Sequence, residues 1–477
     1  MKATLLLFLV IFLEGYAVLS TELLAMRQII HFVGSNTDTM AVIIAAVLMP
    51  LALGYAYGGR FQPHRAENGR AQTIRGRLLL NLSLSALILC IGLSHAVMKV
   101  FFTSLNMLAG IHSPVVLTSI YALSFVALPV FMMGQTVPLV SHYFRRQTLS
   151  SFAGKVLFFS TLGSFMGAIF CTLVLMPYLG VNHSVTITIA CLTVLTVLLS
   201  PRRLNGHLAA AFTALLLSLM LNSDAVLARL HIVANNQYNT VQVYGSEDGV
   251  VNYMQINTTY ASAVYNDRTL YPEPVFGYIN YVERTYITPL ANRREPADIL
   301  VLGAGGFTLG LTDTHNHYTF VDIDGQLKDI AEQDFLKEKL GPNKTFIPAE
   351  ARAFLGYTDR KYDLIFLDAY QDLSGVPTHL VTREFFAQVK SALKPNGVMV
   401  GNFITSPFYA DLFSRRLDNT LRSVFPHLNR QMMEDQNGWP SRRPANLIYS
   451  AVNQPDDDSG IYTDNKNQSF MDKRKDP

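Results

Sequence analysis

Long apolar runs occupy the first half of the chain and constrain its fold more than any other feature. Each run is close to the roughly 20 residues that an α-helix needs to cross about 30 Å of hydrocarbon. Because only a helix satisfies all of its own backbone hydrogen bonds in lipid, these runs predict a bundle of about seven transmembrane helices. The runs cover 4–26, 39–57, 78–100, 114–140, 156–178, 182–200 and 207–222.

The composition agrees with a first half that lies in a membrane. Of the 477 residues, 50% are hydrophobic and only 15% are charged, and the formal net charge is +3. Such a balance is unusual for a soluble protein of this length, and the basic residues lie in short loops rather than on one face. We therefore expect the lipid bilayer as a partner and no nucleic-acid partner. The three cysteines all lie in apolar runs, so no disulfide framework or thiolate metal site is predicted.

The arginines predict how the helices are oriented. They concentrate in the loops around 60–77, 145–155 and 202–203, and such loops usually face the cytoplasm. If all seven runs cross, the chain after about residue 223 lies outside the cell. If the last run, which contains His207, stays at the interface, the second half is cytoplasmic. The sequence leaves both topologies open.

Two glutamates, Glu14 and Glu22, lie inside the first apolar run, eight residues apart and on roughly the same helix face. Ionisable groups at this depth are costly and indicate functional sites, in this case a cation-attracting site or pathway. The alternative is structural: a carboxylate pairs with Arg27 or a carbonyl, or reaches the interface. Close helix packing is predicted by two small-residue spacings, Gly54 with Gly58 and Gly163 with Gly167.

From about residue 235 the pattern changes to short strands separated by turns. Strands at 240–244 and 252–256 flank the turn signal at 245–249 and predict a β-hairpin. Strands and helices then alternate, which is typical of an α/β domain. The sequence thus predicts a membrane domain over 1–223, an α/β Rossmann-like domain over 235–453 and a disordered polar tail over 454–477.

Three strand ends in the second half carry candidate ligand-binding residues. A buried strand at 298–302 runs into a loop with Gly303 and Gly305, and such a strand, turn and helix present backbone N–H groups to a nucleotide. The next strand ends in Asp322, at about the spacing at which an acid binds ribose hydroxyls, although a strand-end or capping role is the alternative. A third strand delivers Asp368 and Asp372 at its carboxyl end, where the ligand crevice of an open α/β sheet lies.

These motifs resemble the spermidine synthase family of aminopropyltransferases, which share the S-adenosylmethionine methyltransferase-type Rossmann fold. The resemblance covers about 235–450, and the first half looks like the membrane domain fused to many bacterial members. It implies transfer of the aminopropyl group of decarboxylated S-adenosylmethionine to a polyamine such as putrescine, with release of methylthioadenosine and no metal. It also implies a bacterial inner-membrane location and a homo-oligomer.

The resemblance assigns site residues by position. It implies that Gly303 and Gly305 contact the co-substrate, with Asp322 at the ribose and Glu350 on the adenine side. It implies that Asp368 is the catalytic aspartate, a role that suits a carboxylate because it can orient a cationic amine and accept its proton. The expected residues around the amine substrate are Tyr271, Glu273, Tyr370 and Asp372.

Several positions differ from the family pattern and leave two alternatives open. Ala261 stands where the family has a glutamine, Pro272 replaces a histidine, and Gln371 stands where a second acid is expected. The alternatives are an S-adenosylmethionine-dependent methyltransferase, and a non-catalytic nucleotide- or polyamine-sensing domain on a membrane transport or signalling bundle. A metal site is not predicted, because His315 and His317 lack a third ligand at a recognisable spacing.

Overall fold

The computed structural model describes residues 2–34, 37–65, 71–143, 149–201, 205–370, 375–433, 443–453 and 469. Of the tail predicted at 454–477, only Ser469 lies within the described residues. The chain divides into two compact units, Met1–Thr240 and Val241–Pro477.

The first unit is built from long apolar helices. Two π-helical segments, Ala122–Ala127 and Cys171–Leu175, continue the helices that end at Tyr121 and Phe170. Two very short strands, β1 (His64–Arg65) and β2 (Ala71–Gln72), pair antiparallel, and strand β3 (Ile232–Asn235) lies at the end of the unit. The helices are α1 (Lys2–Val33), α2 (Thr37–Gly59), α3 (Ile74–Gly92), α4 (His95–Leu108), α5 (Pro114–Tyr121), α6 (Leu128–Gly134), α7 (Thr136–Ser141), α8 (Leu149–Phe170), α9 (Met176–Leu199), α10 (Gly206–Leu221) and α11 (Asp224–Arg229).

Among the described residues, five helical segments are long and apolar enough to cross a membrane, where the sequence predicted about seven. The runs 156–178 and 182–200 join into one segment, Ala153–Leu199, which contains a non-helical residue at Gly180 (φ 81°, ψ 166°). The last run forms α10, which has only 16 residues. The five segments indicate a multi-pass membrane protein, and they are Leu5–Val33, Thr37–Gly59, Ile74–Gly92, Pro114–Ser141 and Ala153–Leu199.

The apolar run 78–100 is not one helix, contrary to the sequence prediction. Helix α3 ends at Gly92, and α4 starts at His95 after Ser94 as its N-cap. The side-chain amide of Gln28 donates a 2.6 Å hydrogen bond to the carbonyl of Leu93. A buried break is tolerated because this contact satisfies a carbonyl that the helix no longer uses.

Glycines let the helices of the first unit approach closely, which confirms the small-residue spacings noted above. A side chain at Gly163 or Gly167 would overlap the backbone of α1, at Phe12 and Tyr16 respectively. Gly54 lies in the same way against the carbonyl of Phe131. Small residues at such contacts allow backbones to pack at short range in lipid, where no hydrophobic force drives helices together.

The second unit begins with strands of a small antiparallel sheet, β4 (Thr240–Gly245), β5 (Val251–Ile256) and β6 (Thr259–Tyr265). Strands β4 and β5 pair antiparallel, with Tyr244 opposite Tyr253, and this confirms the predicted hairpin. Its turn is closed by the Asp248 carboxylate, which accepts a 3.0 Å hydrogen bond from the Val250 N–H.

A seven-stranded sheet forms the centre of the second unit, in the order β12–β13–β11–β10–β7–β8–β9. Strands β7 to β11 pair parallel to one another, whereas β13 runs antiparallel to both of its neighbours. The α/β domain that the sequence predicted is thus present, with the S-adenosylmethionine methyltransferase-like arrangement that the family resemblance implied. The strands are β7 (Asp298–Leu302), β8 (His317–Asp322), β9 (Lys344–Pro348), β10 (Tyr362–Leu367), β11 (Leu393–Thr405), β12 (His427–Met432) and β13 (Ala445–Asn453).

Helices connect these strands and cover the sheet. Phe385 and Phe386, in the helix Arg383–Ala392, are buried with Leu417, in the helix Leu412–Arg422, in the core of the unit. The π-helical segments Glu283–Ile287 and Ala331–Phe335 and a 3₁₀ turn at Thr378–Leu380 complete the helical elements. The helices are α12 (Gly277–Val282), α13 (Thr288–Ala291), α14 (Leu327–Ile330), α15 (Ala351–Tyr357), α16 (Arg383–Ala392) and α17 (Leu412–Arg422).

The strand order changes direction between β7 and β10, which creates the candidate ligand crevice. From β7 the chain proceeds outward to β8 and β9, then returns to place β10 on the other side of β7. Leu302 and Leu367, the last residues of these two strands, are register partners. The loops that follow therefore start side by side, at the carboxyl edge where open α/β sheets bind their ligands.

Candidate functional site

The loop after β7 passes close to the end of β10. Gly303 has φ +97° and its N–H donates a 2.9 Å hydrogen bond to the carbonyl of Val321. A side chain at Gly303 would overlap the carbonyl of Asp368. Gly305 also has a positive φ, +49°, a conformation that favours glycine. The two glycines predicted for the co-substrate thus form a turn without side chains, beside the predicted catalytic aspartate.

The small sheet supports this glycine loop. The hydroxyl of Ser262, on β6, accepts a 2.8 Å hydrogen bond from the buried N–H of Gly306. The ring of Phe335 fills the space that a side chain at Gly306 would need. The amide of Asn252, on β5, donates a 2.7 Å hydrogen bond to the Phe335 carbonyl. These contacts connect the glycine loop to strands β5 and β6 of the small sheet.

Asp322, at the end of β8, is bonded to the glycine loop. One carboxylate oxygen accepts a 2.9 Å hydrogen bond from the N–H of Ala304, and the other accepts a 3.1 Å bond from the N–H of Asp324. Burial raises the pKa of Asp322 to about 6, although these backbone hydrogen bonds lower it. Because each carboxylate oxygen has a second acceptor position, Asp322 can still bind a hydroxyl.

Asp368 follows β10 and is held by two side chains. The hydroxyl of Tyr278 donates a 2.9 Å hydrogen bond to one carboxylate oxygen, and the amide of Asn402 donates a 3.0 Å bond to the other. The Asp368 N–H donates to the carbonyl of Leu302, also at 2.9 Å. Burial raises the pKa of Asp368 to about 6, although the bonds from Asn402 and Tyr278 lower it. The carboxylate is therefore fixed in orientation and titrates near neutral pH.

Tyr370, predicted beside the substrate, makes two backbone hydrogen bonds. Its hydroxyl donates to the carbonyl of Asn402 at 3.0 Å and accepts from the N–H of Ile404 at 2.7 Å. Burial and the nearby charge of Asp368 raise its pKa well above the ordinary value. Tyr370 therefore fixes the strand end that carries Asn402, and through Asn402 it is linked to Asp368.

Glu350 caps the helix that follows it. Its carboxylate accepts hydrogen bonds from the N–H groups of Arg352 at 3.0 Å and Ala353 at 2.7 Å, and from His379 at 3.1 Å. Burial alone would raise the pKa of Glu350, but these bonds keep it below the ordinary value. An N-cap role explains a glutamate at this position, and adenine binding stays a prediction.

The other predicted substrate residues have contacts of their own. Tyr271 stacks on Tyr265 with ring centroids 4.6 Å apart. Glu273 accepts a 2.6 Å hydrogen bond from Asn280 and pairs with Arg284. Asn280 lies on α12, the helix that carries Tyr278. Asp372 lies outside the described residues.

Three residues at this site were missed by the sequence interpretation: Ser262, Tyr278 and Asn402. Asn402 could have been found, because it lies at the carboxyl edge of the predicted strand 398–402. Tyr278 and Ser262 carry no sequence signal, since their partners lie 90 and 44 residues further along the chain.

An apolar cavity lies against the same edge of the sheet. Its lining residues are Leu302, Leu367, Ala369, Val376, Leu380, Phe385, Asn402 and Phe403.

Among the residues that the structure describes, no three His, Cys, Asp or Glu side chains are grouped so as to hold a metal ion.

Similarity to known proteins is concentrated in the second unit. The family model for the spermine/spermidine synthase domain matches residues 280–433. A polyamine aminopropyltransferase of Vibrio vulnificus is 32% identical over 185 residues, which are 37% of this chain and 58% of the relative. A probable polyamine aminopropyl transferase of Bifidobacterium longum is 33% identical over 142 residues, 29% of this chain and 31% of that protein. The chain thus spans less than two thirds of either relative.

Similar solved structures include a probable spermidine synthase from Corynebacterium glutamicum. It is 18% identical with a TM-score of 0.39, and the match covers 46% of this chain and 78% of that chain. A spermidine synthase from Thermotoga maritima is 16% identical with a TM-score of 0.34, over 47% and 74% of the two chains. By the family match and the sequence relatives, the C-terminal domain of this chain belongs to the spermine/spermidine synthase (polyamine aminopropyltransferase) family, and a region of long apolar helices precedes it.

Proposed function

We propose that this protein transfers the aminopropyl group of decarboxylated S-adenosylmethionine to putrescine or a similar amine, giving spermidine and methylthioadenosine. The observation that carries the proposal is the carboxylate of Asp368, fixed by Tyr278 and Asn402 and placed beside the glycine loop at Gly303. The family match supports the same reaction class.

In the proposed reaction, the amine nitrogen attacks the aminopropyl carbon that is bonded to the sulfonium. A nitrogen–carbon bond forms, the carbon–sulfur bond breaks, and its electron pair returns to sulfur, which leaves as a neutral thioether. As the nitrogen–carbon bond forms, the nitrogen loses a proton, which Asp368 accepts. A base with a pKa of about 6 is mostly ionised at neutral pH and still able to take a proton in the transition state.

The co-substrate would lie across the glycine loop. Its ribose hydroxyls would donate to the free acceptor positions of Asp322, and the backbone at Gly303 and Gly305 leaves room for close approach. Glu350 would contact the adenine side through the part of its carboxylate that the helix cap leaves available. Positioning the two reactants in this way supplies much of the rate acceleration in a reaction of this type.

The amine-binding half of the proposed site includes residues that already have partners in the structure. Tyr271, Glu273, Tyr370 and Asp372 are proposed around the acceptor amine. In the structure, however, Glu273 pairs with Arg284 and Tyr271 stacks on Tyr265. These contacts favour, as a second candidate, a methyltransferase that uses S-adenosylmethionine itself, because that reaction needs the nucleotide half of the site and not a diamine subsite.

Product analysis separates these candidates. Purified full-length protein would be incubated with decarboxylated S-adenosylmethionine plus putrescine, or with S-adenosylmethionine plus cell lysate, and the nucleoside product identified by mass spectrometry. We expect methylthioadenosine. An Asp368→Asn variant should be slower by about 10²–10⁴-fold, the usual effect of losing a general base. Asp359→Asn is the matched control, because Asp359 is an exposed loop carboxylate.

The other outcomes are equally informative. S-adenosylhomocysteine would establish methyl transfer in place of aminopropyl transfer. If neither nucleoside is formed by a preparation that still binds methylthioadenosine, the result would indicate the sensing role and contradict the proposal that the protein is an enzyme. We further propose a location in the bacterial inner membrane, which the five apolar segments support. Fractionation of membranes that contain the full-length chain tests this location.

A further inference from the structure

Glu14 is an acidic side chain deep in the first membrane segment. It is only 1% exposed. It lies nine residues after Leu5, where the segment Leu5–Val33 begins. At 1.5 Å per residue this is about 14 Å along the helix, which is close to the middle of a hydrocarbon layer about 30 Å thick that begins at Leu5. A carboxyl group at that depth is a functional-site hypothesis by default.

Neither carboxylate oxygen of Glu14 has a hydrogen-bond partner among the described residues, and both are buried. The sequence had suggested a pair with Arg27 as the structural alternative. In the structure Arg27 instead donates to the carbonyl of Asn236 at 2.6 Å and to the side chain of Asn235 at 3.3 Å. Within the described part of the chain, Glu14 forms no ion pair with a lysine, arginine or histidine. Its charge is therefore left without a protein counterion there.

The surroundings of Glu14 supply oxygen atoms. The neighbouring Gly15 packs against the carbonyl of Ser160 on α8, so that no side chain separates the two backbones. Tyr55, on α2, lies near both Ser160 and Glu14. From α9, the thiol of Cys191 is directed to the carbonyl of Leu13. These neighbouring groups are neutral and supply no positive charge.

We propose that Glu14 is a reversible binding site for a small monovalent cation within the helical region. An ionised carboxylate without a counterion is strongly unfavourable in a medium that cannot solvate it, so Glu14 must bind a cation. A proton fits the observed packing directly. Na⁺ would need oxygen ligands, and the Ser160 carbonyl and the Tyr55 hydroxyl are the groups that could supply them. The proton and Na⁺ share this chemistry, and the test distinguishes them.

The test uses dicyclohexylcarbodiimide, an apolar reagent that modifies protonated carboxyl groups. Full-length protein in liposomes would be treated in acid and alkaline buffers, with and without Na⁺, and the modified residue identified by peptide mass spectrometry. We expect modification of Glu14 that is faster in acid and is lost in Glu14→Gln. Protection by Na⁺ would identify Na⁺ as the cation, whereas modification unaffected by Na⁺ would identify the proton.

Glu22→Gln is the matched control, because Glu22 lies on the same helix but is only partly buried. This variant should keep the modification of Glu14. Infrared spectra of wild-type protein and of Glu14→Gln give a second readout that does not need the reagent to reach the site. Two results would overturn the proposal. One is that wild type and Glu14→Gln incorporate equal amounts of dicyclohexylcarbodiimide. The other is that the infrared spectra contain no carboxyl band that depends on Glu14 and responds to pH or Na⁺.

Discussion

The hydroxyl of Tyr278 lies 2.9 Å from a carboxylate oxygen of Asp368, although the two residues are 90 positions apart in the chain. Asn402 binds the other oxygen from the neighbouring strand β11. Because both of its oxygens accept hydrogen bonds, the Asp368 carboxylate has a fixed orientation. Two opposing effects determine its pKa: burial raises it, and the two hydrogen-bond donors lower it. This arrangement makes the pH dependence of the reaction a direct probe of the site.

The first prediction concerns that pH dependence. Activity needs ionised Asp368, so the turnover rate should rise with pH through a midpoint near its pKa of about 6. The Asn402 hydrogen bond lowers this pKa because it stabilises the ionised form. A hydrogen bond to a charged group contributes about 1.5–3 kcal/mol, so Asn402→Ala should move the midpoint upward by about one pH unit or more.

Rate profiles of wild type, Asn402→Ala and Tyr278→Phe provide the measurement, and both variants should shift in the same direction. Asn266→Ala is the control, because the Asn266 amide binds the Gly249 carbonyl in the β4–β5 turn. An acid limb at the same pH in all four proteins would mean that a group other than Asp368 titrates.

The second prediction concerns Gly303. Gly303→Ala should weaken binding of methylthioadenosine by tenfold or more, because the new methyl group would overlap the Asp368 carbonyl and the backbone has φ +97°. Backbone strain of this kind costs about 1–3 kcal/mol. Isothermal titration calorimetry of the full-length protein measures the binding.

Gly249→Ala is the matched control for this variant. Gly249 also has a positive φ, +70°, but a side chain there would meet nothing within 4 Å. Gly249→Ala therefore measures the effect of backbone strain alone, because its new methyl group overlaps no other atom. If both variants lose the same amount of affinity, the close contact between the glycine loop and Asp368 has no role in binding.

The third prediction concerns Ser262. In Ser262→Ala the buried N–H of Gly306 loses its acceptor, which typically costs about 1–3 kcal/mol. We expect weaker nucleotide binding and a higher KM for the co-substrate, with kcat changed much less, because Ser262 supports the loop and does not contact Asp368 in the structure. Steady-state kinetics test this separation, with Ser246→Ala in the β4–β5 turn as control. A fall in kcat at unchanged KM would contradict it.

The fourth prediction concerns packing in the helical region. A methyl group at Gly163 would overlap the carbonyl of Phe12, so Gly163→Ala should separate α1 from α8 and destabilise the protein by about 1–3 kcal/mol. Gly154→Ala lies on the same helix, where a side chain meets nothing within 4 Å. Thermal unfolding in detergent should show a lower midpoint for the first variant and an unchanged or higher one for the second. Equal midpoints would argue against close packing at Gly163.

Features that depend on local pattern could be predicted from the amino-acid sequence alone. Apolar runs of about 20 residues indicated the membrane helices, because lipid demands long apolar helices. Gly303, Asp322 and Asp368 each follow a strand of the predicted parallel sheet. Because parallel strands end at the same edge, the sequence predicted that the three residues lie at one edge of the sheet. Resemblance to the family then implied what this edge could bind.

Features that depend on distant partners could not be predicted from local pattern and are seen only in the folded chain. The break between Gly92 and His95 interrupts a continuous apolar run, and the amide of Gln28 satisfies a carbonyl there. Likewise, Tyr278 and Asn402 reach Asp368 from other elements, and hydrophobic periodicity carries no information about such contacts. Local pattern reports which face of a segment is buried, whereas a hydrogen bond between separate elements exists only once the fold has brought both groups within about 3 Å.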